Sequence, residues 1–277
     1  MVEIALRGAD LLDDIARTQT EPGRVAFWWL GQHSFILKGG ETVVYIDPFL
    51  SPHAARQTPP LLAPEEVTNA DLVLGTHDHL DHIDPGTIPG IAAASPNARF
   101  VVPRTAAERV RELGVPPERL LPLTDGETAG YPLAGGRGTR VTAIKSKHER
   151  FDEVPGVGFP FLGYVVELNG ATIYHPGDTI VYEGLVSVLR RQRPSVAFLP
   201  INGRDAERLK SGCIGNMTYQ EAVDLAGDVG VRWAIPTHYD MFIGNQEDPT
   251  KFVRYLQVKF PEIQTWVGPA GQRVVVP

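Results

Sequence analysis

Three histidines and two aspartates occupy the six residues from His77 to His82, in Thr76-His77-Asp78-His79-Leu80-Asp81-His82. Imidazole nitrogens and carboxylate oxygens are ready metal ligands at neutral pH, so this density points to a metal site. The preceding run Asp71-Leu72-Val73-Leu74-Gly75 reads as a buried strand. If the chain leaves it still extended, His77 and His79 project to one side, because side chains alternate with a period of two. Asp84-Pro85 reads as an N-cap followed by a proline in the first helical position, which predicts a helix start there. Asp81 and His82 then lie on the bend. One pair of ligands suits one metal and the second pair suits a neighbour. The plainer alternative is a solvated loop with Asp84 merely capping, and the strand before it argues against that.

Such a turn needs partners, and the elements that could supply them are short strands. Residues 25–30, 34–38 and 42–47 read as strands joined at Gly31-Gln32 and Gly39-Gly40, an antiparallel meander. His33 sits at its first turn and Asp47 at the end of its third strand. His33 reads equally as a buried core histidine or a functional one, and Asp47 as a turn-forming carboxylate, a support for a ligand or a functional group. Proline-rich residues 52–64, with His53 and Arg56, predict a surface loop that could cover a pocket. Farther on, strands are expected at 99–102, 141–144, 196–199 and 233–235, and a hairpin at 161–175 turned at Asn169-Gly170. Helices are expected at 104–113, 182–191, 218–227 and 249–259. His148, Asp178 in Pro176-Gly177-Asp178, and His238 in Pro236-Thr237-His238 each follow a strand. Ligands on loops at one edge of a rigid sheet converge although distant in sequence, and their number fits two metals.

The chain has 277 residues, 43% hydrophobic, with a formal charge of −7. That acidity excludes a general polyanion-binding surface, so no nucleic-acid partner is expected, although a local site can still take a small anion. The single cysteine, Cys213, excludes an internal disulfide and a cysteine metal cluster. Charged residues interrupt the first twenty positions and no stretch is long and apolar enough to span a membrane, so a cytoplasmic protein is expected.

In order, His77-x-His79-x-Asp81-His82, His148, Gly177-Asp178 and His238 resemble the metallo-β-lactamase-fold hydrolase superfamily over nearly the whole chain. The resemblance implies an α+β fold, a four-layer αββα sandwich, as a single domain over residues 1–277. It implies one divalent ion on His77, His79 and His148, a second on Asp81, His82 and His238, and Asp178 bridging them. Two such cations outweigh the two carboxylates and a hydroxide, so the centre favours anionic substrates. Metal binding lowers a water's pKa from 15.7 toward about 7, which makes a metal-bound hydroxide the expected nucleophile and hydrolysis the expected reaction. Without thiolates, zinc, manganese and iron all fit. Asp81, Asp178 and His238 are the candidate catalytic residues.

Trp28-Trp29-Leu30-Gly31, Asn202-Gly203-Arg204, Asn216-Met217-Thr218 and Ile235 to Phe242 are similar to the L-ascorbate-6-phosphate lactonase branch. This resemblance implies opening of a phosphorylated sugar lactone or a similar small anionic ester, a manganese cofactor and a homo-oligomer. Arg204, with Asn202 and Tyr239, is the candidate substrate contact; a structural ion pair with Asp205 or Glu207 is the competing reading of Arg204. His175 reads as a support for the metals or as a core histidine. The alternatives are a phosphodiesterase or nuclease of the same fold and a non-catalytic metal- or ligand-binding module.

Overall fold

A computed structural model describes residues 2–131 and 138–277. After α1 (Gly8–Arg17) the chain enters the meander β1 (Val25–Trp29), β2 (Phe35–Gly39) and β3 (Thr42–Ile46), all antiparallel. Next come β4 (Leu72–Leu74), α2 (Ile88–Ala94), β5 (Arg99–Pro103), α3 (Ala107–Glu112) and β6 (Leu120–Leu123), whose strands run parallel to β3. The second half holds β7 (Thr128–Tyr131), β8 (Thr139–Lys145), β9 (Leu162–Leu168), β10 (Ala171–His175), α4 (Leu185–Gln192) and β11 (Val196–Pro200). It closes with α5 (Ala206–Lys210), α6 (Tyr219–Val229), β12 (Trp233–Thr237), α7 (Pro249–Lys259) and β13 (Arg273–Val276). Strand β13 returns to pair with β1, giving a seven-stranded sheet β13-β1-β2-β3-β4-β5-β6 beside a six-stranded sheet β12-β11-β10-β9-β8-β7. The fold is the expected α+β sandwich of two mixed sheets with helices.

Burial explains the layering. Every residue of β1, β2, β3 and β11 is buried, so these strands are covered on both faces and read as continuous rather than alternating apolar runs. The sheets meet through aromatic rings: Phe198 of β11 stacks on Phe35 of β2 at 4.1 Å and meets Phe27 of β1 edge-on at 5.3 Å. Each such buried ring contributes about 2 kcal/mol from area alone. The β9–β10 hairpin turns as expected, with Asn169 at φ 52° and Gly170 at φ 87°, the two left-handed residues a tight two-residue turn requires.

Some local expectations are displaced. The helix after the metal turn begins at Ile88, not behind Asp84. Asp84 still caps the turn that leads into it, its Oδ1 accepting from the Gly86 N–H and its carbonyl from the Ile88 N–H, while its Oδ2 accepts from the Ser51 N–H and the Thr87 hydroxyl and so ties the metal turn to the loop after β3. The expected 182–191 helix begins at Leu185, after Gly184 in the left-handed region. β6, β7 and α5 were not foreseen. The proline-rich loop lies at the surface as expected, with Pro52 to Ala55 exposed, and is anchored from beneath: Leu61 and Leu62 are buried, and Arg56 donates to the Phe49, Ser51 and Thr58 carbonyls. No helix among the described residues is long and apolar enough to cross a membrane.

Candidate metal centre

β3 and β4 run parallel, so Asp47 and the turn that starts at Thr76 emerge at the same sheet edge. Gly75 allows the turn to fold back tightly, since a Cβ there would stand 2.6 Å from the Ile83 side chain. Asp47, held at φ 46°, then aims a fully buried carboxylate under the turn. Its Oδ1 accepts from the Thr76 N–H at 2.8 Å, and its Oδ2 accepts from Thr76 Oγ1 at 2.7 Å and His82 Nδ1 at 2.6 Å. The proton on Nδ1 leaves the His82 Nε2 lone pair facing inward. Thr76 Oγ1 likewise stands 3.1 Å from His77 Nδ1, and His77 Nε2 faces His79 Nδ1 at 2.9 Å.

The second sheet supplies the other half. In its parallel part β10–β11–β12, Asp178 follows β10 and His238 follows β12. His148 leaves the end of neighbouring β8. Gly177 turns the chain at φ 61°, where a Cβ would meet the Leu162 carbonyl and the Thr76 side chain at 2.8 Å. His238 adopts φ 57°, with its N–H donated to the Gln32 carbonyl. This is backbone strain located at a functional centre.

The structure brings all seven expected ligands together. Three groups have ligand atoms mutually within 4.8 Å: His77, His82 and Asp178; His79, His148 and Asp178; Asp81, His82 and His238. Asp81 Oδ2 lies 3.6 Å from both His82 Nε2 and His238 Nε2, and Asp178 Oδ1 lies 3.4 Å and 3.3 Å from the same two nitrogens. A tetrahedral ion with bonds of about 2.0–2.2 Å sets its ligand atoms about 3.3–3.6 Å apart, the range that these four separations span. His82 Nε2 and Asp178 Oδ1 are also buried without a hydrogen-bond partner, an arrangement costly unless a cation fills the space. Only His79 and Asp81 are reached by solvent to any extent; the other five ligands are buried.

Charge follows this geometry. Burial alone would discharge His82, but Asp81, Asp178 and Asp47 outweigh it and push its pKa up to about 10, so an ion that binds at Nε2 must displace a proton from it. Burial would raise Asp178, yet His238, His82 and His148 hold its carboxyl well below the usual range. His148, desolvated, is pushed down to about 4 and so stays neutral, as a metal ligand must.

One contributor was missed. Gln32, read only as part of a turn, donates its side-chain amide to Asp81 Oδ2 at 2.7 Å and lies 3.1 Å from His238 Nε2. Its N–H is held by Asp240 Oδ1, which Thr58 also supports through Oδ2. The signal available in the sequence was a long polar residue in a left-handed turn position beside His33.

His33 and His175 act as buried supports. Their rings lie 3.9 Å apart, His33 Nε2 donates to the Gly177 carbonyl, and His175 Nε2 donates to the His33 carbonyl. Asp47 is a support for a ligand, as one of its readings had it. Each expected substrate contact has partners of its own within the chain. Arg204 spends its fork on Glu221, at 2.6 Å and 2.7 Å, and on the Asn216 carbonyl, which is the competing ion-pair reading with a different partner. Asn202 is buried and hydrogen-bonded to Asn245 and Asn216. Tyr239 packs its ring on Trp29 at 5.3 Å.

Comparison with known proteins agrees with this centre. The β-lactamase superfamily domain matches residues 42–239. The chain is 33% identical over 231 residues to a UPF0173 metal-dependent hydrolase of Thermococcus kodakarensis, covering 82% of this chain and 89% of that one. It is 30% identical over 258 residues to a UPF0173 metal-dependent hydrolase of Rubrobacter xylanophilus, covering 91% and 97%. Igni18, a metallo hydrolase from Ignicoccus hospitalis, has the same fold, with a TM-score of 0.70 at 22% identity over 92% of this chain and 99% of that one. These likenesses carry the metal-dependent hydrolase part of the resemblance and not its lactonase part. The turn His77–His82, its partners on the second sheet and these relatives agree: the chain belongs to the UPF0173 metal-dependent hydrolases of the β-lactamase superfamily.

Proposed function

We propose that this protein hydrolyses small anionic esters, sugar lactones among them, with two divalent ions that share Asp178. The observation that carries this reading is the presence of Asp178 in two of the three ligand groups, one with His77 and His82 and one with His79 and His148. His77, His79 and His148 would hold one ion; Asp81, His82 and His238 would hold the other. Zinc, manganese and iron each suit such a set of nitrogens and oxygens. When bound, a divalent pair supplies Lewis acidity and brings the pKa of a coordinated water down from 15.7 toward about 7.

The chain's own residues do the remaining work. Asp47 fixes the ring of His82 through Nδ1, and Gln32 holds the Asp81 carboxylate from the other side, so the ligand atoms are positioned before a substrate arrives. His79 and Asp81, the least covered ligands, mark the side from which a scissile ester approaches. The remaining buried ligands exclude bulk water behind them, which strengthens every charge interaction at the centre.

The test combines metal counting with a substrate screen. Protein stripped with a chelator and reloaded with zinc, manganese or iron should bind two ions per chain and regain hydrolysis of a member of a panel of sugar lactones, phosphodiesters and thioesters. A metal-replete Asp178→Ala protein with full activity overturns the shared-carboxylate reading.

A further inference from the structure

Phe161 closes the loop between β8 and β9 that opens with His148, and its ring lies against three of the metal ligands. The ring centroids stand 5.0 Å from His77, 5.6 Å from His79 and 5.2 Å from His148. These are the three histidines assigned to one ion, and among the described residues the Phe161 ring has no other aromatic neighbour. Packing in the core does not account for its place: Phe159, two positions earlier, packs on the hydrophobic core, and Phe161 stands outside that cluster. Phe161 is half-buried, and His79 beside it is the exposed member of the ligand set. The uncovered part of the ring therefore borders the path by which solvent reaches the centre.

The backbone fixes this ring in place. The Phe161 carbonyl accepts the Ser146 N–H at 2.9 Å, and the next N–H, of Leu162, is donated at 3.0 Å to the carbonyl of Thr76, where the metal turn begins. A ring held in this way has little freedom left to lose when a ligand covers it. Leu80, between His79 and Asp81 in the chain, is 41% exposed and adds a second apolar side chain to the turn that carries the solvent-reached ligands. A half-open phenyl ring beside a cationic centre suits a ligand that brings an aromatic ring together with the oxygens bound for the metals. Such rings pair offset or edge-on, and both lose apolar area to water in the unbound state.

We propose that Phe161 is a specificity-determining residue of this hydrolase and that its open part takes an aromatic ring of the substrate. This rests on the hydrolase reading above and adds the substrate class: an ester or lactone with an aromatic ring close to the scissile carbonyl.

The experiment uses metal-loaded protein and the lactones dihydrocoumarin and δ-valerolactone, which differ by a fused benzene ring. Hydrocinnamate and propanoate, which differ by a phenyl group, are titrated by calorimetry, a readout independent of turnover. Wild type should bind hydrocinnamate more tightly than propanoate. Phe161→Leu, which keeps an apolar side chain against the histidines, should lower the dihydrocoumarin-over-valerolactone ratio of kcat/KM about three- to tenfold, chiefly through KM, the worth of an aromatic pair. The ratio of the two carboxylate affinities should fall by a similar factor. Phe161→Tyr, which keeps the ring, should retain both ratios and guards against a folding artefact. A wild type that binds the two carboxylates equally overturns the assignment. So does a Phe161→Leu protein that weakens both members of each pair alike, as loss of a mere packing support for the histidines would. Hydrocinnamate-selective binding that depends on Phe161, without turnover of either lactone, supports the assignment while overturning the hydrolase reading.

Discussion

Gln32 and Asp81, forty-nine positions apart in the chain, meet through a 2.7 Å hydrogen bond from the glutamine side-chain amide to the carboxylate Oδ2. The same Gln32 accepts the His238 N–H on its backbone carbonyl, so one residue of the β1–β2 turn braces two ligands from two different sheets. Gln32→Ala should weaken metal binding about tenfold or more, the usual cost of removing a group that orients a ligand. Competition titration against a chromophoric chelator reads this directly, and an unchanged affinity removes Gln32 from the centre.

Asp47 belongs to none of the three ligand groups, and its carboxylate is taken up by His82 Nδ1 and Thr76. Asp47→Asn replaces an acceptor of three hydrogen bonds with an amide that can accept on only one atom, leaving Thr76 or His82 mismatched inside the core. The expected result is an unchanged metal count at saturation, a metal affinity lower by about 10–100-fold, and a lower Tm. Loss of one ion per chain would instead make Asp47 a direct ligand.

Asp178→Ala and His79→Ala should each abolish hydrolysis while leaving the far-ultraviolet circular dichroism of the sandwich intact. Both side chains sit on loops beyond the strands, and the contacts of Phe198 with Phe27 and Phe35 that join the sheets do not involve them. Atomic emission should find fewer than two ions per chain in each. Unfolded protein in both cases would assign these residues to the fold rather than to the chemistry.

Arg204→Ala tests the correction that the structure makes to the sequence reading. The pair with Glu221 is bidentate but about a third exposed, so solvent screening limits its worth to under about 1 kcal/mol. Chemical denaturation should show a loss of that size, with the ratio of KM values for anionic and neutral esters unaltered. A selective rise in KM for anionic esters would return Arg204 to substrate binding.

Local patterns legible in the sequence were those written by nearest neighbours. The Asn169-Gly170 turn, the extent of α7 from Pro249 to Lys259 and the meander β1–β3 all follow from short-range conformational preference. α2 begins one turn later than its cap suggested: Asp84 does accept from the Gly86 N–H, but its other carboxylate oxygen is drawn to Ser51 in a separate loop. For Arg204 the partner of the competing ion-pair reading was out of local reach: Glu221 lies seventeen positions away, in α6.

The sequence by itself determined the donor atoms of the centre, because metal ligation needs particular elements and lone pairs, and only histidine and aspartate at these positions offer them. It also determined that His77 and His79 share a side, since that follows from the two-residue period of an extended chain. Tertiary structure alone decided that Asp47 orients His82 and that Gln32 braces Asp81 and His238. Those relationships join residues from separate elements. They exist only once the two sheets are packed and the directions of their outgoing loops are set by strand pairing.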